Sequence, residues 1–163
     1  MKKYFAKLDE NNNVIQVDVI NLEDSSTEED GINFLKNFYK EPNSVWKMTD
    51  KKTKLNKHKD GGIPFRGNYA GINSTYDPIN DMFFSAKPFD SWIKDVENAT
   101  WKSTINYPTV TTYEHSTEVD ENGNAKIMDY TIFWEEENLR WVSWKDESNK
   151  FYWNPDDSTW NAI

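Results

Sequence analysis

Apolar positions in this chain recur with two periods. Over the first 20 residues Tyr4, Ala6 and Leu8 alternate with polar neighbours, DENNN follows at 9–13, and alternation resumes in Val14-IQVDVI. A period of two puts successive side chains on opposite faces of a strand, and Asn and Asp tolerate the left-handed backbone of tight turns, so a strand, turn and strand are expected. The spacing then turns helical. Ile32, Leu35, Phe38 and Tyr39 share one face of a 3.6-residue period, and Ser26 with Glu29 three residues later makes a capping box with Ser26 at the N-cap. A helix is predicted near 28–40, ended by Pro42, with residues 41–62 as loop carrying at most one short strand around Val45–Met48.

From Gly61 onward aromatics punctuated by Gly, Pro, Asn and Asp replace any helical period. One phrase recurs there: an aromatic, six mostly polar residues, and another aromatic. It occurs as Tyr76-DPINDM-Phe83, Trp134-EEENLR-Trp141, Trp144-KDESNK-Phe151 and Trp153-NPDDST-Trp160, with a longer relative from Trp92 to Trp101. Two short strands joined by a tight turn bring residues about seven apart into cross-strand contact, where an aromatic pair adds roughly 0.2–1 kcal/mol. Each phrase is therefore read as a hairpin stapled by its own ring pair. A Thr- and Val-rich strand is expected around 109–118, followed by a turn at DENGN, 120–124. The fold expected is mainly β of the α+β kind: an array of antiparallel hairpins with aromatic cross-strand pairs and one N-terminal helix. Two regions are expected, 1–60 (hairpin, helix and basic loop) and 61–163 (aromatic hairpins), with a soft boundary that also allows one domain.

Aliphatic residues are sparse while aromatics make up 15% of the 163 residues, so the core must be built largely from rings. With a mean hydropathy of −0.93, part of the stability is expected from assembly, including with copies of itself. The absence of cysteine removes disulfides and Cys-based zinc sites. The opening MKKYFAKLDENN has no apolar h-region and no apolar run exceeds three, so neither a secretory signal nor a spanning helix is expected. A net charge of −9 argues against nucleic acid as a partner. Residues 47–60, KMTDKKTKLNKHKD, run against that balance with six Lys and two Asp. Such a run is either a basic loop that meets an acidic partner or a solvated loop.

Catalytic chemistry finds little purchase. His58 and His115 have no Ser or Cys nucleophile motif beside them, and alternation along a strand sends Glu114 and His115 to opposite faces. Among 28 acidic residues no carboxylate pair stands out for glycoside hydrolysis. Asp9-x-Asn11-x-Asn13 and Asp120-x-Asn122-x-Asn124 reproduce the start of a calcium loop, but Val14 and Ala125 stand where its Gly is required and Ile20 and Thr131 where its Glu is. Type I′-like turns explain both segments instead. No enzyme activity, cofactor or metal is expected. Trp and Tyr rings beside Asp and Asn suit either sugar stacking or packing on one another across each hairpin.

The block from Phe65 through RGNYAGINSTYDPINDMFFSAKPFDSW to Trp92, with Trp101, Tyr107-Pro108, the closing Tyr-Trp-Asn-Pro-x4-Trp and the opening FAKLDENNNVIQVDVI, resembles a set of small proteins of marine bacteriophages that infect cyanobacteria and SAR11-type hosts. Residues 47–60 and 109–131 depart from their usual pattern. The resemblance implies a virion-associated protein assembled in the bacterial cytoplasm, with other virion proteins as partners and no catalytic residues carried over. The expected function is accordingly a non-enzymatic accessory on capsid, neck or tail; the alternatives are an adhesin for host polysaccharide and an intracellular phage effector that binds a host protein. No membrane partner is expected. Candidate partner-binding residues are Lys51, Lys52, Lys54, Lys57 and Lys59 in the basic segment and Trp144, Trp153 and Trp160 in the closing hairpins.

Overall fold

The computed structural model describes residues 2–21, 23, 26–146 and 149–163. They are mainly β, 46% strand against 8% helix, with one α-helix and every strand pair antiparallel, as the alternation and aromatic spacing predict. Two compact units divide the chain: residues 1–88 with 93–102, and residues 89–92 with 103–163. The boundary expected after residue 60 falls inside the first unit, because residues 65–69 are bonded back to Thr53 and Asn56.

The first unit is built on a three-stranded sheet ordered β2-β1-β3, from β1 (Lys2–Leu8), β2 (Val14–Asn21) and β3 (Val45–Thr49). Helix α1 (Glu28–Tyr39) covers one face, where Phe5, Ile20, Leu35 and Trp46 form a closed cluster. Its N-cap is Thr27, whose hydroxyl accepts from the Asp30 N–H while the Asp30 carboxylate accepts from the Thr27 N–H. The capping box thus lies one residue later than Ser26 and Glu29 suggest; Ser26 instead donates its hydroxyl to Asp30. Gly31 in mid-helix has a packing reason, since a Cβ there would sit 2.3 Å from the Phe5 ring. Ala6, Leu8 and Val14 on the other face meet Ala70, Tyr76 and Phe83.

Residues 41–62 hold more structure than expected. Besides β3 they form a two-residue ladder, β4 (Thr53–Lys54) with β5 (Lys57–His58), turned by Leu55 and Asn56, both left-handed at φ 50° and 53°. Asn68 holds this region together. Its Oδ1 accepts from the Leu55 N–H at 2.8 Å, and its Nδ2 donates to the carbonyls of Phe83 and Ala99, each at 2.7 Å. One side chain so ties three hairpins, β4–β5, β6 (Thr75–Asp77) with β7 (Met82–Phe84), and β8 (Ile93–Asp95) with β9 (Thr100–Lys102).

In the second unit β10 (Thr112–Val119) and β11 (Ala125–Asp129) form a two-stranded ribbon. A four-stranded meander follows in chain order, β12 (Thr131–Glu135), β13 (Arg140–Asp146), β14 (Asn149–Asn154) and β15 (Thr159–Ala162). Trp134 lies opposite Trp141 with centroids 5.2 Å apart, and Trp153 opposite Trp160 at 5.3 Å. Trp134, Trp141 and Trp153 are each 7% exposed or less, packed with Phe89, Trp92, Ile105, Ile132 and Trp160.

One loop geometry explains the spacing of seven. Asp77 faces Met82, Asp95 faces Thr100, Glu135 faces Arg140 and Asn154 faces Thr159, each pair enclosing four residues of which the last is left-handed: Asp81, Ala99, Leu139 and Ser158, at φ 48–56°. The next pair outward is then seven apart, which stacks Tyr76 on Phe83 at 5.2 Å. Two expected staples fail, each for its own geometric reason. An irregularity between Trp144 and Asp146 shifts the β13–β14 register, so Trp144 faces Lys150 and Phe151 faces Ser143; a slip of one residue moves a side chain to the other face. In the 93–102 hairpin the partner of Trp101 is Lys94, and Trp92 packs instead on Phe89, Trp134 and Trp141.

Two of the strand-end acids are strongly held. Burial pushes the Asp77 carboxyl up, but Lys94, Asn80 and the N–H groups of Ile79 and Asn80 more than offset it, and its pKa falls to about 2. Lys150 holds Glu135 at about 2, against burial and with help from Asn138 and Arg140. A depressed carboxylate pKa stabilises the fold above the unfolded value near 4 and loses that contribution as pH falls toward 2. The melting temperature is therefore expected to drop steeply between about pH 4.5 and pH 2. An Asp77→Asn, Glu135→Gln double variant should melt lower at pH 7 with a flatter acid limb; an acid limb of unchanged slope would assign the effect to other groups.

Candidate interaction surface

The five lysines expected to meet a partner are all exposed and stand on or beside the β4–β5 hairpin. Lys54 and Lys57 lie directly opposite each other in the ladder. Like charges so placed repel, and a hairpin stabilised for its own sake has no use for them. Lys51 sits over the Tyr4 ring at 5.3 Å, and Lys52 pairs with Asp60 at 2.6 Å. Among the described residues no ion pair engages Lys54, Lys57 or Lys59.

The hairpin is held to the rest of its unit mainly by bonds of Thr53, Asn56 and His58. Thr53, fully buried, accepts from the Phe65 N–H with its hydroxyl and from the Tyr69 N–H with its carbonyl. Asn56 donates from its backbone to Gly67 and from its side chain to Glu97. His58 accepts from the N–H groups of Asp60 and Gly62 at Nδ1 and points Nε2 at Asp50, 3.5 Å away. The imidazole is thus a brace for the loop. His115 does the same in its own strand, accepting from the N–H groups of Thr117 and Glu118.

Beside the hairpin runs an open groove of about 600 Å³. Tyr4, Met48 and Phe65 line it with apolar surface, joined by the 90%-exposed Ile63, and Lys2, Lys3, Lys51 and Lys52 set four cations around it against the single carboxylate of Asp50. Its position follows from the closed edge of β3, where the Met48 N–H donates to Glu28 and the Met48 carbonyl accepts from Arg66 at 2.9 Å. Arg66 also binds Glu28 and Asp81, and Asp81 accepts from the Tyr76 hydroxyl, whose pKa burial and that bond raise to about 12. This network reaches the groove through the Met48 backbone, which it holds at both its N–H and its carbonyl. Lys51 and Lys52 stood out in the sequence, whereas Arg66 and the apolar groove residues Tyr4, Met48, Ile63 and Phe65 did not, because their partners lie far apart along the chain.

The three tryptophans expected to bind a partner are placed differently from one another. Trp153 is 4% exposed and belongs to the core of the second unit, so its face is not available for docking. Trp160 is half-buried between Trp153 and Tyr130 and donates its indole N–H to the Val110 carbonyl at 2.8 Å. Trp144, at 38% exposure, presents a ring to solvent with Lys150 Nζ 5.9 Å from its centroid.

The calcium-like segments are turns. Asp9 accepts from the side-chain amide of Asn13 and from the backbone N–H groups of Asn13 and Asn11, and Asp120 from the backbone N–H groups of Asn124 and Asn122, which lowers both carboxyl pKa values. Each turn has one left-handed residue, Asn12 or Gly123, so they are type I turns with a following left-handed residue and not type I′. Among the described residues no three His, Asp or Glu side chains are placed to hold a metal ion, and no helix is long and apolar enough to cross a membrane. No family model, curated protein or solved structure matches the chain.

Proposed function

We propose that the protein is a non-enzymatic accessory component of a phage particle, docking through its lysine hairpin on an acidic surface of capsid, neck or tail. The observation that carries this reading is the pair Lys54 and Lys57, face to face and without counter-ions among the described residues, on a chain of net charge −9. Repulsion held in place by the buried Thr53 and the half-buried Asn68 makes sense when an outside anion relieves it. The groove alongside supplies apolar area that charge alone lacks. The hairpin array suits a particle surface, since ring pairs stiffen it without disulfides. The resemblance of residues 65–92 to marine phage proteins points the same way.

Mass spectrometry of purified particles, compared with infected-cell lysate, tests the reading. The protein is expected in the particles, and release by salt is expected to follow screening of the lysine contact. Detection in lysate alone would overturn it and favour an effector, while binding of the isolated protein to a glycan array would favour an adhesin.

A further inference from the structure

The β10–β11 ribbon is as exposed as any element of the chain. Every residue from Ser116 to Ile127 is exposed, and the ribbon buries no side chain beyond the half-buried Tyr113, His115 and Met128. Over Thr112–Asp129 it carries five carboxylates, Glu114, Glu118, Asp120, Glu121 and Asp129, against the single Lys126. Glu118 pairs with Lys126 at 3.0 Å and Asp120 caps its own turn. That leaves Glu114, Glu121 and Asp129 outside every ion pair among the described residues. Val119 and Ile127 add apolar surface at 60% and 59% exposure. Eight residues of strand reach roughly 23 Å, enough to lie along a groove and beyond it.

We propose that this ribbon on a second copy of the chain is a further acidic partner of the lysine hairpin, beside the particle surface. The proposal rests on reading the hairpin as a docking surface. The two elements match in kind: three carboxylates outside every ion pair among the described residues against three ammonium groups likewise outside them, and Val119 with Ile127 against a groove lined by Tyr4, Met48, Ile63 and Phe65. Complementary potentials of this sort steer and orient association. Because the two patches differ, the contact is head-to-tail and leaves a free hairpin at one end and a free ribbon at the other, so copies close into a ring or continue as a chain.

Sedimentation velocity on the full chain tests this at 0.1 M and 1 M salt, where the screening length falls from about 10 Å to about 3 Å. Concentration-dependent association is expected at 0.1 M and its loss at 1 M. A hairpin variant (Lys54→Glu, Lys57→Glu, Lys59→Glu) and a ribbon variant (Glu114→Lys, Glu121→Lys, Asp129→Lys), each with an unchanged circular dichroism spectrum, should each self-associate about tenfold more weakly or less than that. Mixed in equal amounts they should associate again, since hairpin cations then meet ribbon anions. A wild-type chain that sediments as a monomer at both salt concentrations, or variants that do not recombine, would overturn the proposal. A monomer that is nevertheless found on purified particles would overturn self-association alone and leave docking on the particle standing.

Discussion

Alanine at position 68 is expected to cost about 3–5 kcal/mol of stability. Asn68 makes three side-chain hydrogen bonds, to the exposed Leu55 N–H and to the part-buried carbonyls of Phe83 and Ala99. Each is worth about 1 kcal/mol net when made, and an orphaned buried group costs about 1–3 kcal/mol. The losses fall on three hairpins at once. For a chain of this length, a loss of that size lowers the melting temperature by roughly 6–20 °C. Asn68→Asp makes a sharper comparison, because it keeps shape and the acceptor for Leu55 but turns two donated bonds into contacts between oxygens. It should melt no higher than the alanine variant at pH 7 and recover somewhat as acid protonates it. If both variants melt within 2 °C of the parent, Asn68 does not tie the hairpins together.

The second large loss is expected at Trp153. Large-to-small changes of buried aromatics cost about 3–5 kcal/mol, and Trp153 stacks on Trp160 at 5.3 Å within the tryptophan cluster. Trp160→Ala should cost less, since that ring is half-buried, and Trp144→Ala less than about 1 kcal/mol on its exposed face. Chemical denaturation of the three variants checks the order. A Trp153→Ala protein as stable as the parent would mean that its ring is not part of the core. Binding lost in Trp144→Ala without a change in stability would identify a docking ring.

The staples were legible because their cause is local. A four-residue loop with a left-handed last residue enforces contact seven apart whatever the loop sequence, so Tyr76, Trp134 and Trp153 announce their partners. Where one residue of register changed, as between Trp144 and Asp146, the same spacing misled. The helix was legible and its cap ambiguous, since Ser26 with Glu29 and Thr27 with Asp30 both fit a capping box and only the backbone chooses. The lysine run showed its charge but not its hairpin, whose turn places Leu55 in a left-handed conformation that sequence patterns reserve for Asn or Gly. Arg66 and Asn68 stayed hidden. Their roles are long-range bonds to main-chain atoms, and no periodicity records such bonds.

The repeated four-residue loop also bears on the order in which the chain folds. Hairpins that close over so few residues form in about 1–10 μs, before distant segments have met. The sheet of the first unit must by contrast bring Tyr4 beside Thr49, and Asn68 must find a carbonyl 31 residues further on. Closing such long loops carries an entropic cost that local contacts do not repay. Refolding should accordingly be fast in the indole fluorescence of the Trp134–Trp141 hairpin and slower in probes of β1–β3 pairing. Nascent chain would then hold its ring pairs before it holds a core.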